Sequence, residues 1–373
     1  LTEKSVTDQL VREAYERLKQ EVTASHILLG LPNDPSPQDT LAAYNQALEL
    51  RKRLEAGEDF GKLAREFSHD PSASENGGNL GYFTAMQMVY RFEDAAYKTP
   101  VGQISQPVRS RFGYHLIKVN DKRTAQGEVK VAHIMVRATP GMPKADSLAA
   151  KQRVDAIYKR VQRNENWDRL AAEFSEDANS AANGGELPWF GTGRMIPSFE
   201  EVAFALKKED EIAPPVLTPY GWHIIKLIGK QALPSYEDME QNLRNKIAKD
   251  SRSELNKAAF LKRIKSENNF SEDATVKAAA LGKATDDLLQ GKWDFDAADK
   301  TLKNNLFTIQ GKPYTVADFY TFVKAEQRPR MAGTPQHHMN SLYDNFVQKS
   351  LLAYERANLE NKYPDYRMLV REY

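Results

Sequence analysis

Cysteine is absent from all 373 residues, which excludes disulfides, thiolate nucleophiles and cysteine-ligated zinc from this chain. Such a composition suits a compartment where stray thiols would oxidise. Long hydrophobic runs are also missing. None approaches the roughly 20 apolar residues of a membrane-spanning helix, so no span is expected here. Nor is there an excess of either charge: 52 Lys and Arg stand against 51 Asp and Glu. That balance leaves no broad basic footprint for nucleic acid or anionic lipid. The chain opens on Leu1-Thr2-Glu3-Lys4 without an initiator Met or an apolar signal core, and residues 370–373 read as the inside of a helix. The expectation is a processed or excised piece of something larger.

What the chain does have is a duplication. Phe112-Gly113-Tyr114-His115-Leu116-Ile117-Lys118-Val119 is written again as Tyr220-Gly221-Trp222-His223-Ile224-Ile225-Lys226-Leu227. Both read as a glycine turn entering a β-branched, aromatic-rich strand. Upstream, His26 pairs with His133, Asp70 with Asp177, Gly77-Gly78 with Gly184-Gly185, Met88 with Met195 and Phe92 with Phe199, each 107 residues apart. The offset is 108 at His115 and His223, so the second copy carries one more residue after Phe199. A constant offset of this size predicts two copies of one small domain.

Within each copy the order is a strand, three helical pieces, a strand and a returning strand. This predicts an α+β fold, a small antiparallel sheet covered by helices, at 22–123 and again at 129–231. Ahead of it, 5–21 reads as an amphipathic helix with Ser5 or Thr7 as N-cap, left over from a preceding segment. Its apolar face needs a partner, either the first copy or chain upstream. Beyond 232 the repeat stops. One helix is expected from Pro234-Ser235 to about Asn268, then an ambiguous stretch 269–304. A hairpin at 306–314, a helix capped by Thr315 and a helix over 339–359 before Pro364 follow. Together 232–373 reads as a mostly helical domain, suited to cradling a partner chain.

The matched polar set is His26, Asp70 and His115 in copy one, with His133, Asp177 and His223 in copy two. Beside each lies an apolar trio: Leu80, Met88 and Phe92, or Leu187, Met195 and Phe199. Several readings are open. The histidines could simply brace the sheet, the aspartates could cap turns, and the trios could be core. A two-His, one-carboxylate metal site is disfavoured because the ligands lie about 45 residues apart, without short paired spacing. The glycine pairs read as turns and not phosphate cradles, since no Lys-Ser/Thr follows. The unmatched pair His337-His338 is expected to be exposed.

The blocks His-Ile-Leu, Phe-Ser-x-Asp, Gly-Gly-x-Leu and Gly-Tyr-His-Leu-Ile, in this order, resemble the parvulin family of peptidyl-prolyl cis/trans isomerases. Tandem copies joined to helical segments are similar to the SurA-like periplasmic folding chaperones. The resemblance implies proline-binding domains in a cell-envelope compartment, acting on unfolded, exported or outer-membrane polypeptides without a cofactor. It implies that the Leu/Met/Phe trio forms a cup for the proline ring beside the His/Asp/His network, and it adds Ser110 and Thr218 as site-lining hydroxyls. A non-catalytic peptide-binding chaperone is the alternative. Copy one carries Met86 and Tyr90 where copy two has the family-like Gly193 and Pro197, which favours copy two as the better catalyst. Copy two in turn has Pro188 and Asp210 where copy one keeps glycine. Loop 30–39 has no Lys or Arg, so copy one should need no phosphate on its substrate; Arg137 and Lys144 leave copy two open.

Overall fold

The computed structural model describes residues 3–362. Residues 364 and 370–373, read above as a helix-stopping proline and a helix interior, lie outside the described part. Helix α1 (Glu3–Leu18) leads into the first repeat: β1 (Gln20–Gly30), α2 (Pro37–Glu55), α3 (Phe60–Phe67), α4 (Ala73–Asn76), β2 (Asn79–Phe83), α5 (Tyr90–Lys98), β3 (Val108–Ser110) and β4 (Gly113–Thr124). The second repeat follows the same plan: β5 (Glu128–Arg137), α6 (Lys144–Gln162), α7 (Trp167–Phe174), a 3-10 turn at Ala181–Asn183, β6 (Phe190–Gly191), α8 (Pro197–Ala205), β7 (Val216–Thr218) and β8 (Gly221–Gln231). The tail holds α9 (Tyr236–Ile247), α10 (Ser253–Glu267), β9 (Ser271–Glu272), α11 (Ala274–Leu281), β10 (Asn305–Ile309), β11 (Lys312–Thr315), α12 (Val316–Glu326) and α13 (Pro335–Lys362). The architecture is α+β, two antiparallel-sheet regions followed by a mainly helical part.

Each repeat sheet has four antiparallel strands, in the order β2-β1-β4-β3 and β6-β5-β8-β7. Alternation along a strand sends successive side chains to opposite faces, so both faces bury apolar residues. On one face Ile27, Leu29 and Leu116 pack under α2 and α3. On the other, Val22, Ala24, Ile117 and Val119 meet Phe92 and Ala96 of α5. Repeat two divides in the same way, with Ile134, Val136 and Ile224 on the α6 face and Val131, Ile225 and Leu227 on the α8 face. Pro37, expected in a loop, instead opens α2 at its first turn, where its missing N–H costs nothing; Ser36 Oγ caps it by accepting the Asp39 N–H at 3.0 Å.

Three sequence expectations change. α1 is already helical at Glu3, so neither Ser5 nor Thr7 is its N-cap. Its apolar face (Leu10, Val11, Ala14) is covered mainly by Leu243 and Ile247 of α9, with Met86 and Tyr90 of repeat one alongside. The single helix expected to reach Asn268 is two helices, broken between Ile247 and Ser253. The break turns Arg252, which is fully buried, and Ser251 toward repeat one. There Ser251 Oγ accepts the Tyr90 N–H at 2.8 Å. The tail is therefore divided. α9 joins the core shared with α1, while Leu306, Phe307, Phe319, Tyr343 and their neighbours form a separate core around the three-stranded sheet β11-β10-β9.

Candidate active site

His26 projects from β1 and His115 from β4 on the α5 face of the sheet, their rings stacked at 5.4 Å. Their Nδ1 atoms face each other at 3.2 Å, and His26 Nε2 meets Asp70 Oδ2 at 2.6 Å. At the other end His115 Nε2 meets Ser110 Oγ at 2.6 Å, and that oxygen accepts the Phe112 N–H at 3.1 Å. Repeat two builds the same line: Asp177 to His133 at 2.8 Å, His133 to His223 at 3.0 Å, His223 to Thr218 Oγ1 at 2.8 Å, and Tyr220 N–H to Thr218 at 3.2 Å. All four histidines are buried. The groups form a line and do not converge on a point. Among the described residues, no three His, Asp or Glu are arranged to hold a metal.

The aspartate is held in place by the Phe-Ser-x-Asp segment. Ser68 Oγ accepts the Leu28 N–H and the His69 N–H donates to Leu28 O, so the segment is laced to β1 beside His26. Ser175 and Glu176 repeat both contacts on Met135. Asp70 then uses one oxygen for His26 and the other for Ser72 N–H and Oγ. It caps a turn and ends the line of hydrogen bonds at once. Gly78 and Gly185 complete this corner. At φ +81° and +73°, a Cβ on either would lie 2.3 or 2.1 Å from the carbonyl oxygen of His26 or His133. The glycine pairs thus let the turn press against the histidine strand.

Electrostatics set the proton positions. Burial, reinforced by the neighbouring His26, pushes His115 down to about 3; burial and His133 push His223 down to about 4. Both are neutral near pH 7. Partial burial works against ionising Asp70 and Asp177, but hydrogen bonds from the histidine and from Ser72 or Ser180 outweigh it and hold both below the usual carboxylate range. An ionised carboxylate only accepts, so His26 Nε2 carries a hydrogen. With Ser110 donating its O–H, the line runs in one direction: Phe112 N–H to Ser110, Ser110 O–H to His115 Nε2, His115 Nδ1–H to His26 Nδ1, and His26 Nε2–H to Asp70. The exposed terminus of this line is the carboxylate, whose side chain is 20% accessible in Asp70 and 19% in Asp177.

The apolar trio lies on the same face. Phe92 stands edge-on to both His26 and His115, at 5.5 and 5.3 Å. Phe199 does the same to His133 and His223, at 5.8 and 5.3 Å. Leu80 and Met88, and likewise Leu187 and Met195, are partly buried against the same clusters and keep open surface. Ser110 and Thr218 are buried and turned to the histidines. Sequence reasoning placed Ser68 and Ser175 in the repeated Phe-Ser-x-Asp block without giving them a role, and passed over Ser72 and Ser180 beneath the carboxylates. It also missed that His69 and Glu176 do one job, accepting the Gly30 and Arg137 N–H groups at 2.8 and 2.6 Å.

The PPIC-type PPIASE domain family matches residues 9–123 and, separately, 133–229, together more than half of the chain. The chaperone SurA of Hahella chejuensis is 35% identical over 61% of this chain and 52% of its own length. That of Pseudomonas aeruginosa is 31% identical over 67% and 60%. The chain thus spans little more than half the length of these curated relatives. A crystal structure of the peptidylprolyl isomerase PrsA from Bacillus anthracis is 38% identical, covering 32% of this chain and 51% of that one, with a TM-score of 0.26.

Proposed function

Since this chain belongs to the parvulin, PPIC-type, peptidyl-prolyl isomerase family through two tandem domains, we propose that each repeat holds a proline ring in its Leu/Met/Phe cup and eases rotation of the preceding amide beside Asp70 or Asp177. The observation that carries this is the edge-on contact of Phe92 and Phe199 with the histidine pairs. With it the Leu/Met/Phe trio and the carboxylate-ended line of hydrogen bonds share one face, twice, which supports the reading.

An X–Pro bond turns over tens to hundreds of seconds because resonance must be broken. In the planar amide, resonance places negative charge on the carbonyl oxygen; in the twisted amide that charge is largely gone. A fixed carboxylate nearby therefore raises the planar form relative to the twisted one. The apolar cup removes water that would stabilise the planar dipole. No proton moves and no cofactor is called for. The histidines act behind the carboxylate, fixing its orientation and its charge.

The substrates we propose are proline-containing unfolded polypeptides, exported or outer-membrane proteins among them, met in the periplasm or elsewhere in the cell envelope. The SurA relatives and the cysteine-free composition support that reading. No described helix is long and apolar enough to cross a membrane. The test is cis-to-trans conversion of a proline peptide by the full chain. Asp177→Ala should lower the repeat-two contribution about a hundredfold, the scale of losing a preorganised charge. Asp70→Ala should cost less overall, and the double variant should sit near background. A double variant as fast as the parent would leave the non-catalytic chaperone reading, in which the same cups hold clients without turning them over.

A further inference from the structure

Glu93 follows Phe92 on α5, and Glu200 follows Phe199 on α8. Glu93 Oε2 accepts the Met86 N–H at 2.7 Å and Glu200 Oε2 accepts the Gly193 N–H at 2.8 Å. Each glutamate thus ties the loop that carries the cup methionine to the helix that carries the cup phenylalanine. The two copies then diverge. Glu200 is only half-buried and has backbone donors around it. Glu93 is wholly buried, and its other oxygen is held by Arg17 of α1 at 3.0 Å and by Arg252, also wholly buried, just ahead of α10. Arg17 also pairs with Glu13 at 3.3 Å and with Asp94, and Arg252 with Asp250 at 2.6 Å. Tyr90, at the start of α5, lies under both guanidinium groups.

We infer that Glu93 is a positioning residue coupling the cup of repeat one to helices α1 and α10, so that their docking sets how well this cup holds a proline, while the cup of repeat two has no such cations and meets the 84–89 loop only through Gln87, which donates to Thr192 O at 2.7 Å. The physical reason is the cost of a buried charge. Glu93 keeps its hold on Met86 N–H only while a cation neutralises it. With Arg17 and Arg252 withdrawn, the carboxylate must turn to water, releasing the 84–89 loop and Met88 with it. Glu200 reaches water where it stands and needs no such partner. By linkage the coupling is reciprocal: a ligand that prefers the formed cup must favour docked helices.

The inference rests on the trio being the proline cup, and the test separates the two. Methionine-methyl NMR on the full chain reads Met88 and Met195 side by side during titration with an Ala-Leu-Pro-Phe peptide. Arg252→Met should shift the Met88 methyl and weaken binding reported there about tenfold, within the usual range of coupling between sites, with a much smaller change at Met195, which feels the loop only through Gln87 and Thr192. Should that variant not fold, Arg17→Gln removes one of the two cations and should act in the same direction. A Met88 signal and affinity equal to the parent's in a folded variant, or equal shifts at both methyls, would overturn the coupling. If neither parent methyl responds to peptide, the cup reading fails, while the shift of Met88 on substitution still decides the coupling.

Discussion

Burying His223 beneath Phe199 keeps it neutral, and that has a consequence for acid stability. A histidine whose folded value lies at about 4, against about 6.5 unfolded, binds its proton in the unfolded chain first. Stability is therefore fully present above about pH 6.5 and falls as pH drops from there towards 4, by up to about 1.4 kcal/mol per pH unit. His115, at about 3, extends the same loss further into acid in repeat one. The depressed aspartates add their own loss only below the ordinary carboxylate range. Three of the four tryptophans, Trp167, Trp189 and Trp222, belong to repeat two and Trp293 to the tail core, so denaturation of a Trp293→Phe background followed by tryptophan fluorescence at pH 7, 6 and 5 should show the repeat-two transition moving to lower denaturant with each step. Thr218→Val should strip the partner from a buried His223 nitrogen and cost about 1–3 kcal/mol, with Thr218→Ser restoring most of it. The relay histidines were legible because the chain states them twice. His69 and Glu176 were not, since an imidazole and a carboxylate at matched positions do not look like one function.

At the level of elements, the close press of the glycine turn on the histidine strand gives a sharp expectation. Gly185→Ala would drive a Cβ into His133 O and hold alanine at positive φ; each strain alone costs about 1–3 kcal/mol. The variant should lower the thermal midpoint of repeat two, and its Asp177–His133 contact should loosen with it. Strand and helix order was readable from turn residues and alternation. The break after α9 was not, because its cause lies outside local sequence: Arg252 finds its partner Glu93 159 positions earlier. The same contact explains Met86 and Tyr90. They depart from the pattern of Gly193 and Pro197 because α1 and α9 cover them, a reason no comparison of the two copies could supply.

For the whole molecule, the tail reaches back to repeat one a second time. Asp34, in the loop after β1, pairs with Arg330 and, at 2.6 Å, with His337. Partial burial opposes its charge, but these two partners outweigh that and hold Asp34 below the usual carboxylate range. His337 is therefore engaged and His338 is buried, against the expectation that both would be exposed. Asp34→Asn should raise hydrogen exchange in both 30–36 and 328–337 while leaving the relay segments protected, and high salt should do the same to the parent.

The chain between β4 of the first sheet and β5 of the second is only residues 125–127, and Gln87 of one repeat donates to Thr192 O of the other at 2.7 Å. On the proposed reading that each repeat holds a proline, neighbours tethered this closely would act as a two-handed grip. A polypeptide with two suitably spaced prolines would release one hand at a time, and the free end would be recaptured before it diffused away. Its residence time should then exceed that of either single-proline fragment by far more than twofold.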